Sequence, residues 1–260
     1  MAAEEIEVKG IVLGVSPQGE YGRRLLLLTD RFGKTTVFAA GAAKPGSHLI
    51  GATRPMTCAS FLLSRGRSAW NLHGISLIAS FSELSHSVEA SLYGMYFLEF
   101  ASYFAQEGME AGEAKAMLNL IYLALSALSE AEEAVKTEKK ETAAELTEAA
   151  AAEKAAKTEE KGKGNILAAA LRRELIRAFY ELRMLLIEGE YTEKPPHTAD
   201  EAVKKLWQYA LKAPLSALFV PCRTALYEEA AKVFIAETKS LLHRQVAYQF
   251  HSLDVLRELI

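Results

Sequence analysis

The period of the apolar pattern changes once along this chain, near residue 81, and that change constrains the fold more than any other feature. Before it, short β-rich runs alternate with turn chemistry; after it, apolar residues recur at helical spacing. Ile6 to Val15 is β-rich and leads into Ser16-Pro17-Gln18-Gly19, where proline presets φ and glycine permits positive φ. Arg24 to Thr29 is a leucine run too short for a helix and reads as a buried strand. The loop Asp30-Arg31-Phe32-Gly33-Lys34 then turns the chain into Thr35 to Ala40. Gly41 to Pro55, rich in glycine, proline and small residues, is a long connection. Met56 to Leu63 and Ser68 to Ile78 form a second pair around Ser64-Arg65-Gly66-Arg67. Five strands in about eighty residues, arranged as a meander, a crossing loop and a hairpin, match a small Greek-key barrel such as the OB-fold.

After Phe81, His86 to Gln106 and Glu113 to Leu128 read as helices packed inside a bundle. Ser129 to Gly164 is nearly all Ala, Glu, Lys and Thr, with seven basic and ten acidic residues between Glu130 and Lys163. It has almost nothing large to bury and reads as an exposed linker or a protruding helix. Asn165 can cap a helix reaching Glu188, with Leu167, Leu171, Leu175, Phe179, Leu182 and Leu186 along one stripe. Thr198-Ala199-Asp200-Glu201 forms a capping box for a helix to about Leu211, Thr224 can cap another to about Val246, and Ser252 can start a last short one. The expected architecture is a two-domain α+β chain: a five-stranded OB-fold barrel over residues 1–81, then an all-α helical domain over 82–260 interrupted at about 129–164.

Two cysteines, Cys58 and Cys222, cannot build a disulfide framework, so a reducing, cytoplasmic setting is expected. Met1-Ala2-Ala3-Glu4-Glu5 is acidic and precedes no apolar signal core, so secretion is not indicated. The longest apolar-rich run, Val88 to Phe104, carries Glu89 and Glu99 and falls short of the ~20 apolar residues of a membrane span. No membrane partner is expected. The chain has only three aspartates, none near a carboxylate partner at ligand spacing, and its six histidines show no metal-binding spacing. Phosphate-binding glycine loops are missing as well. The residues suggest no enzyme, no metal and no cofactor.

The formal net charge of −3 conceals an asymmetry. Between Lys9 and Ser80 nine basic residues face only Glu20 and Asp30, a net of +7, whereas Ser82 to Leu128 sets six glutamates against Lys115. Such a split hints at an anionic partner for the basic part. Arg23 and Arg24 begin a strand, Arg31 and Lys34 flank its hairpin, Lys44 lies in the long loop, and Arg65 and Arg67 flank the last hairpin. In a small barrel these could line a groove, neutralising phosphates and releasing counterions, with Tyr21, Phe32, Phe38, Phe61 or Trp70 among them and one or two available to stack on bases. Basic turns also serve solubility and edge protection, so spacing alone leaves both readings open.

The order of phrases narrows the choice. Val8-Lys9-Gly10-Ile11-Val12-Leu13, Gly19-Glu20-Tyr21-Gly22-Arg23-Arg24-Leu25, Leu28-Thr29, Phe32-Gly33-Lys34, Ala40-Gly41-Ala42, Gly66-Arg67-Ser68 and Phe81-Ser82-Glu83-Leu84 resemble the RecO family of bacterial DNA repair proteins. Phe179-Tyr180-Glu181-Leu182-Arg183 and Phe250-His251-Ser252-Leu253 extend the resemblance. It implies an N-terminal OB-fold, a helical domain and a non-enzymatic recombination mediator. Such a protein binds single- and double-stranded DNA, anneals strands, and acts with RecR to load RecA onto strands coated with single-strand binding protein, whose acidic C-terminal tail it also contacts. By position, Arg23, Arg24, Lys34, Lys44, Arg65 and Arg67 become the DNA contacts, and a groove near Arg172, Arg173 or Arg177 the tail site. The resemblance further implies a bacterial, nucleoid-associated location. An adaptor that binds repair partners with little direct DNA contact is the alternative. Many family members carry a four-cysteine zinc site after the helix that here ends near Gly189; Glu190 to Asp200 has no cysteine, so zinc is expected to be absent.

Overall fold

A computed structural model of the chain describes residues 4–148, 152–191, 200–223 and 228–259. Five strands, β1 (Glu5–Gln18), β2 (Gly22–Thr29), β3 (Gly33–Ala39), β4 (Thr57–Arg65) and β5 (Trp70–Ser80), close into a barrel in the order β1-β2-β3-β5-β4. All pairings are antiparallel except β3 with β5, a short parallel contact at Val37↔Trp70 and Phe38↔Asn71 that completes the OB-fold closure. The expected turn at Ser16-Pro17-Gln18 is instead the end of β1, which pairs with β2 out to Gln18↔Gly22; the reversal falls at Gly19, whose φ is +60°. The crossing loop holds one short helix, α1 (Leu49–Ala52).

Alternation along the strands divides the barrel's apolar residues between two cores. Val8, Val12, Leu25, Leu27, Val37, Phe61, Leu63 and Trp70 fill the interior. Ile11, Leu13, Leu28, Met56 and Cys58 point outward and are buried against the helices, in one cluster with Phe81, Leu84 and Tyr93. The period of two is thus obeyed by a barrel that is apolar on both faces wherever helices cover it.

The helices are α2 (Val88–Phe104), α3 (Ala111–Glu148), α4 (Ala152–Ile187), α5 (Glu201–Lys212), α6 (Glu228–Gln245) and α7 (His251–Leu259), with a 3₁₀ turn at Ser82–His86 ahead of α2. α2 is buried around most of its circumference, and Tyr96, Phe97 and Phe100 meet Tyr180 of α4 and Phe250 in an aromatic cluster. The Ala/Glu/Lys stretch is helical on both sides of 149–151: α3 runs on to Glu148, and α4 begins at Ala152, packed along α3. Asn165 therefore lies within α4 and does not cap it, because Ala, Glu and Lys propagate a helix as readily as they start one. The cap of α5 is Asp200, whose carboxylate accepts from the Ala202 and Val203 amides; Thr198, expected in that box, lies outside the described residues, as does Thr224. α7 opens one residue before Ser252, and Glu99 supplies the missing acceptor, taking the His251 and Ser252 amides at 3.0 and 3.1 Å. Among the described residues no helix is long and apolar enough to cross a membrane.

Candidate nucleic-acid interface

Register decides which barrel cations point outward. Residues opposite each other in a sheet share a face, so Ser16, Arg24, Phe38 and Asn71 form one outward row across β1, β2, β3 and β5. Arg24 and Asn71 are exposed and Phe38 is half-buried between them. On β4 the row ends at Ser64, opposite Asn71; Arg65, the next residue and the last of the strand, lies opposite Trp70 and is exposed at the barrel's end. Strands lie ~4.8 Å apart, so the Arg24 and Arg65 backbones are separated by roughly 15 Å or less.

Two loops add to this strip. The Tyr21 carbonyl accepts from the Ala43 amide at 2.9 Å, which ties the crossing loop, and with it exposed Lys44, to the β1–β2 turn where Tyr21 is 45% exposed. Arg67 stands exposed at the tip of the β4–β5 hairpin. That hairpin closes through the Gly66 amide to the Ala69 carbonyl, and a Cβ on Gly66 would meet this same oxygen at 2.5 Å. Beneath it, Trp70 stacks on Phe32 with centroids 4.9 Å apart and planes 22° apart. Among the described residues, no lysine or arginine of the barrel is paired with a carboxylate.

Two of the six expected DNA contacts are engaged elsewhere. Arg23 Nη1 donates to the Ile50 carbonyl at 3.0 Å and to Thr53 Oγ1 at 2.7 Å, pinning α1 to the barrel. Lys34 Nζ donates to the Ser102 carbonyl at 2.7 Å, at the C-terminal end of α2, where carbonyls lack helical donors and the dipole favours a cation. Its neighbours join the same clasp: the Lys34 amide donates to Gln106, and the Gly108 amide to Phe32. Gly33 sits at φ +66° with the Gln106 oxygen 2.3 Å from where a Cβ would be, so this position admits glycine alone. The phrase Phe32-Gly33-Lys34 thus fastens the barrel to the helices.

The arginines named for the tail site sit differently. Arg173 donates to Glu132 at 2.6 Å and pairs with Glu89. Arg177 pairs with Glu174 at 2.6 Å and Glu181 at 3.5 Å. Burial alone would lower the Arg177 pKa, but Glu181 and Glu174 outweigh it and hold the guanidinium above its usual range. Glu181, itself buried, accepts from the Tyr96 hydroxyl at 2.6 Å, and its pKa is raised by burial against the opposing pull of Arg177. Arg172 borders a small apolar recess near Ile176, Phe219 and Cys222. Arg177 and Glu181 also line a cleft of about 270 Å³, together with Lys239, His243, Leu242, Phe250 and an Arg257 that is paired with Asp254 at 3.3 Å. The i,i+4 spacing of Lys239 and His243 on α6 was the available sequence signal for this pair.

Burial pushes the Cys58 thiol up to about 12, which fits a core residue and not a nucleophile. Among the described residues no group of His, Cys, Asp or Glu could hold a metal ion.

Residues 1–81 match the family model described as Recombination protein O N terminal. The chain is 35% identical over 95 residues to the DNA repair protein RecO of Exiguobacterium sibiricum, covering 36% of this chain and 38% of that protein. Over 105 residues it is 37% identical to the DNA repair protein RecO of Desulforudis audaxviator, covering 40% and 42%. A third relative of the same name, from Clostridium novyi, is 29% identical over 93 residues. These matches span about two fifths of the length of each relative.

Proposed function

We propose that the chain, whose residues 1–81 match the N-terminal model of Recombination protein O, belongs to the RecO family and acts in DNA repair as a non-enzymatic recombination mediator. On this reading it binds single- and double-stranded DNA on the barrel, anneals complementary strands, and works with RecR to load RecA onto strands coated with single-strand binding protein. The observation that carries the reading is the set of exposed, carboxylate-free cations Arg24, Lys44, Arg65 and Arg67 near Phe38, Asn71 and Tyr21. Unpaired exposed cations bind phosphates at low desolvation cost and gain the entropy of counterion release. Arg23 and Lys34 serve the architecture. The cleft beside Arg177 supports a second contact, with the acidic tail of single-strand binding protein: Lys239 and His243 for carboxylates and an apolar wall of Leu242 and Phe250 for a terminal side chain. This cleft is also what would carry the adaptor alternative.

The test compares wild type with R24E/K44E/R67E, titrating a labelled dT20 strand over a range of salt. Each lost phosphate contact lowers the slope of log affinity against log salt by ~0.7, so the triple variant should lose roughly 2 from the slope, together with annealing activity. Unchanged affinity and slope would overturn the barrel site. Retained tail-peptide binding without any salt-dependent DNA binding would favour the adaptor.

A further inference from the structure

Two hairpins of the barrel meet in a column of four planar groups. Phe32, from the β2–β3 turn, stacks on Trp70, the first residue of β5. Each ring is then faced by a guanidinium: the central carbon of Arg31 lies 5.9 Å from the Phe32 centroid, and that of Arg65 lies 5.5 Å from the Trp70 centroid. Trp70 is 8% exposed, so its cover comes from Phe32, the barrel interior and Arg65. Neither arginine is bound to a carboxylate among the described residues, and both are exposed.

An aromatic pair inside a barrel needs no cation to bury it; an aliphatic side chain would do so with less loss of solvation. A guanidinium over an indole is a weak cover at an exposed site, weaker than the stacking of a nucleobase on the same ring. The displaced guanidinium would not be stranded, because the incoming nucleotide brings a phosphate within its reach and arginine binds phosphate in bidentate fashion. One nucleotide therefore replaces both halves of the contact it breaks. The hairpin that carries Arg65 is also the hairpin that presents Arg67, with Gly66 and Ser68 beside it. Only an unpaired base can make the exchange, since a base within a duplex has both faces occupied.

From this geometry we propose that Trp70 is a stacking platform for an unpaired nucleobase, closed in the free protein by Arg65, which moves onto the adjoining phosphate when the base enters. The proposal rests on the DNA-binding reading above and names the part of the strand that this end of the barrel recognises. Trp70 and Trp207 are the only tryptophans in the chain, and Trp207 is buried among the helices with its indole N–H donated to the Tyr191 hydroxyl at 2.8 Å.

The W207F variant thus leaves Trp70 as the sole indole emitter. It is titrated with unlabelled dT20, with the dT20·dA20 duplex, and with a strand of the same length whose central nucleotides are abasic, while binding is followed separately by anisotropy of labelled strands. The expected result is loss of Trp70 emission with dT20 at the concentrations that give binding, and little loss with the duplex or the abasic strand once each is bound. W70F, which keeps a ring in the barrel core, should lose the emission change and bind dT20 several-fold more weakly, with affinity for the abasic strand unaltered. Binding of dT20 without quenching, or equal quenching by the abasic strand, would overturn the stacking platform while leaving the barrel as a DNA site. Failure of wild type to bind dT20 at low salt would overturn the DNA-binding reading itself.

Discussion

The buried arginines of the helical bundle and the exposed arginines of the barrel are used in opposite ways. In the bundle, Arg173, Arg177 and Arg183 are each less than 9% exposed and each is bound: the first two to glutamates, the third to the Leu211 and Ala213 carbonyls at the end of α5. In the barrel, Arg24, Arg65 and Arg67 are exposed and face no carboxylate. A guanidinium already enclosed by carboxylates has given up its water and has little field left for another anion. One that is solvated and unpaired keeps its charge available, at the cost of contributing little to stability. Charge count alone does not locate a polyanion site; the state of each charge does.

The largest effect expected from this contrast is at Arg177. R177M removes the cation that faces Glu181 and Glu174 and leaves buried Glu181 with the Tyr96 hydroxyl and the weaker field of Lys239. Breaking a buried pair in this way costs about 3–5 kcal/mol, to be read as a fall in the urea midpoint at constant slope. Affinity of the folded variant for dT20 should not change. A stability loss under about 1 kcal/mol would mean that the two regions do not differ as the structure indicates.

Next in size are the two barrel cations that behave like those of the bundle. R23M loses both side-chain bonds to α1 and Thr53, and K34M loses the side-chain bond to the end of α2. Each should cost about 1–2 kcal/mol, the value of charge-assisted bonds at partly buried sites. Neither should alter the salt slope of DNA binding by more than a fraction of one contact. R24A is the mirror case: stability within about 0.5 kcal/mol of wild type and a slope reduced by ~0.7. If R24A destabilises and K34M lowers the slope, the assignment of roles within the barrel is reversed.

The sequence made most of the architecture legible, because strand and helix periods differ and the change near residue 81 is abrupt. All five strands and the main helices follow from apolar spacing and turn residues. What periodicity could not supply was the partner of each cation. Arg23 and Arg24 are adjacent in sequence, yet a strand sends them to opposite faces, one toward Thr53 and one toward solvent. Lys34 follows a hairpin glycine, as a phosphate-binding residue would, but its acceptor is 68 residues away on α2. Asn165 failed as a cap for a related reason: an Ala/Glu/Lys sequence has no apolar pattern with which to mark where a helix begins.

The smallest effect tests an exception to pairing in the bundle. Glu188, just beyond α4, is half-buried, and its neighbours Glu113 and Glu190 are also acidic; burial first, and then these two charges, push its pKa up to about 7. The protonated form is therefore favoured in the folded protein. Between the unfolded value of 4.5 and about 7 the folded state holds more proton at this site than the unfolded chain does, so stability falls as pH rises through that window. Below it both states are protonated and nothing is lost; above it the full penalty stands. E188Q should match wild type at pH 4 and exceed it at pH 8, by no more than about 1 kcal/mol given solvent screening around a half-exposed group. Urea midpoints at the two pH values provide the check. An equal shift at both would assign the effect to packing, whereas a gain confined to pH 8 identifies Glu188 as a bundle charge whose neighbours oppose it, the reverse of the glutamates that enclose Arg177.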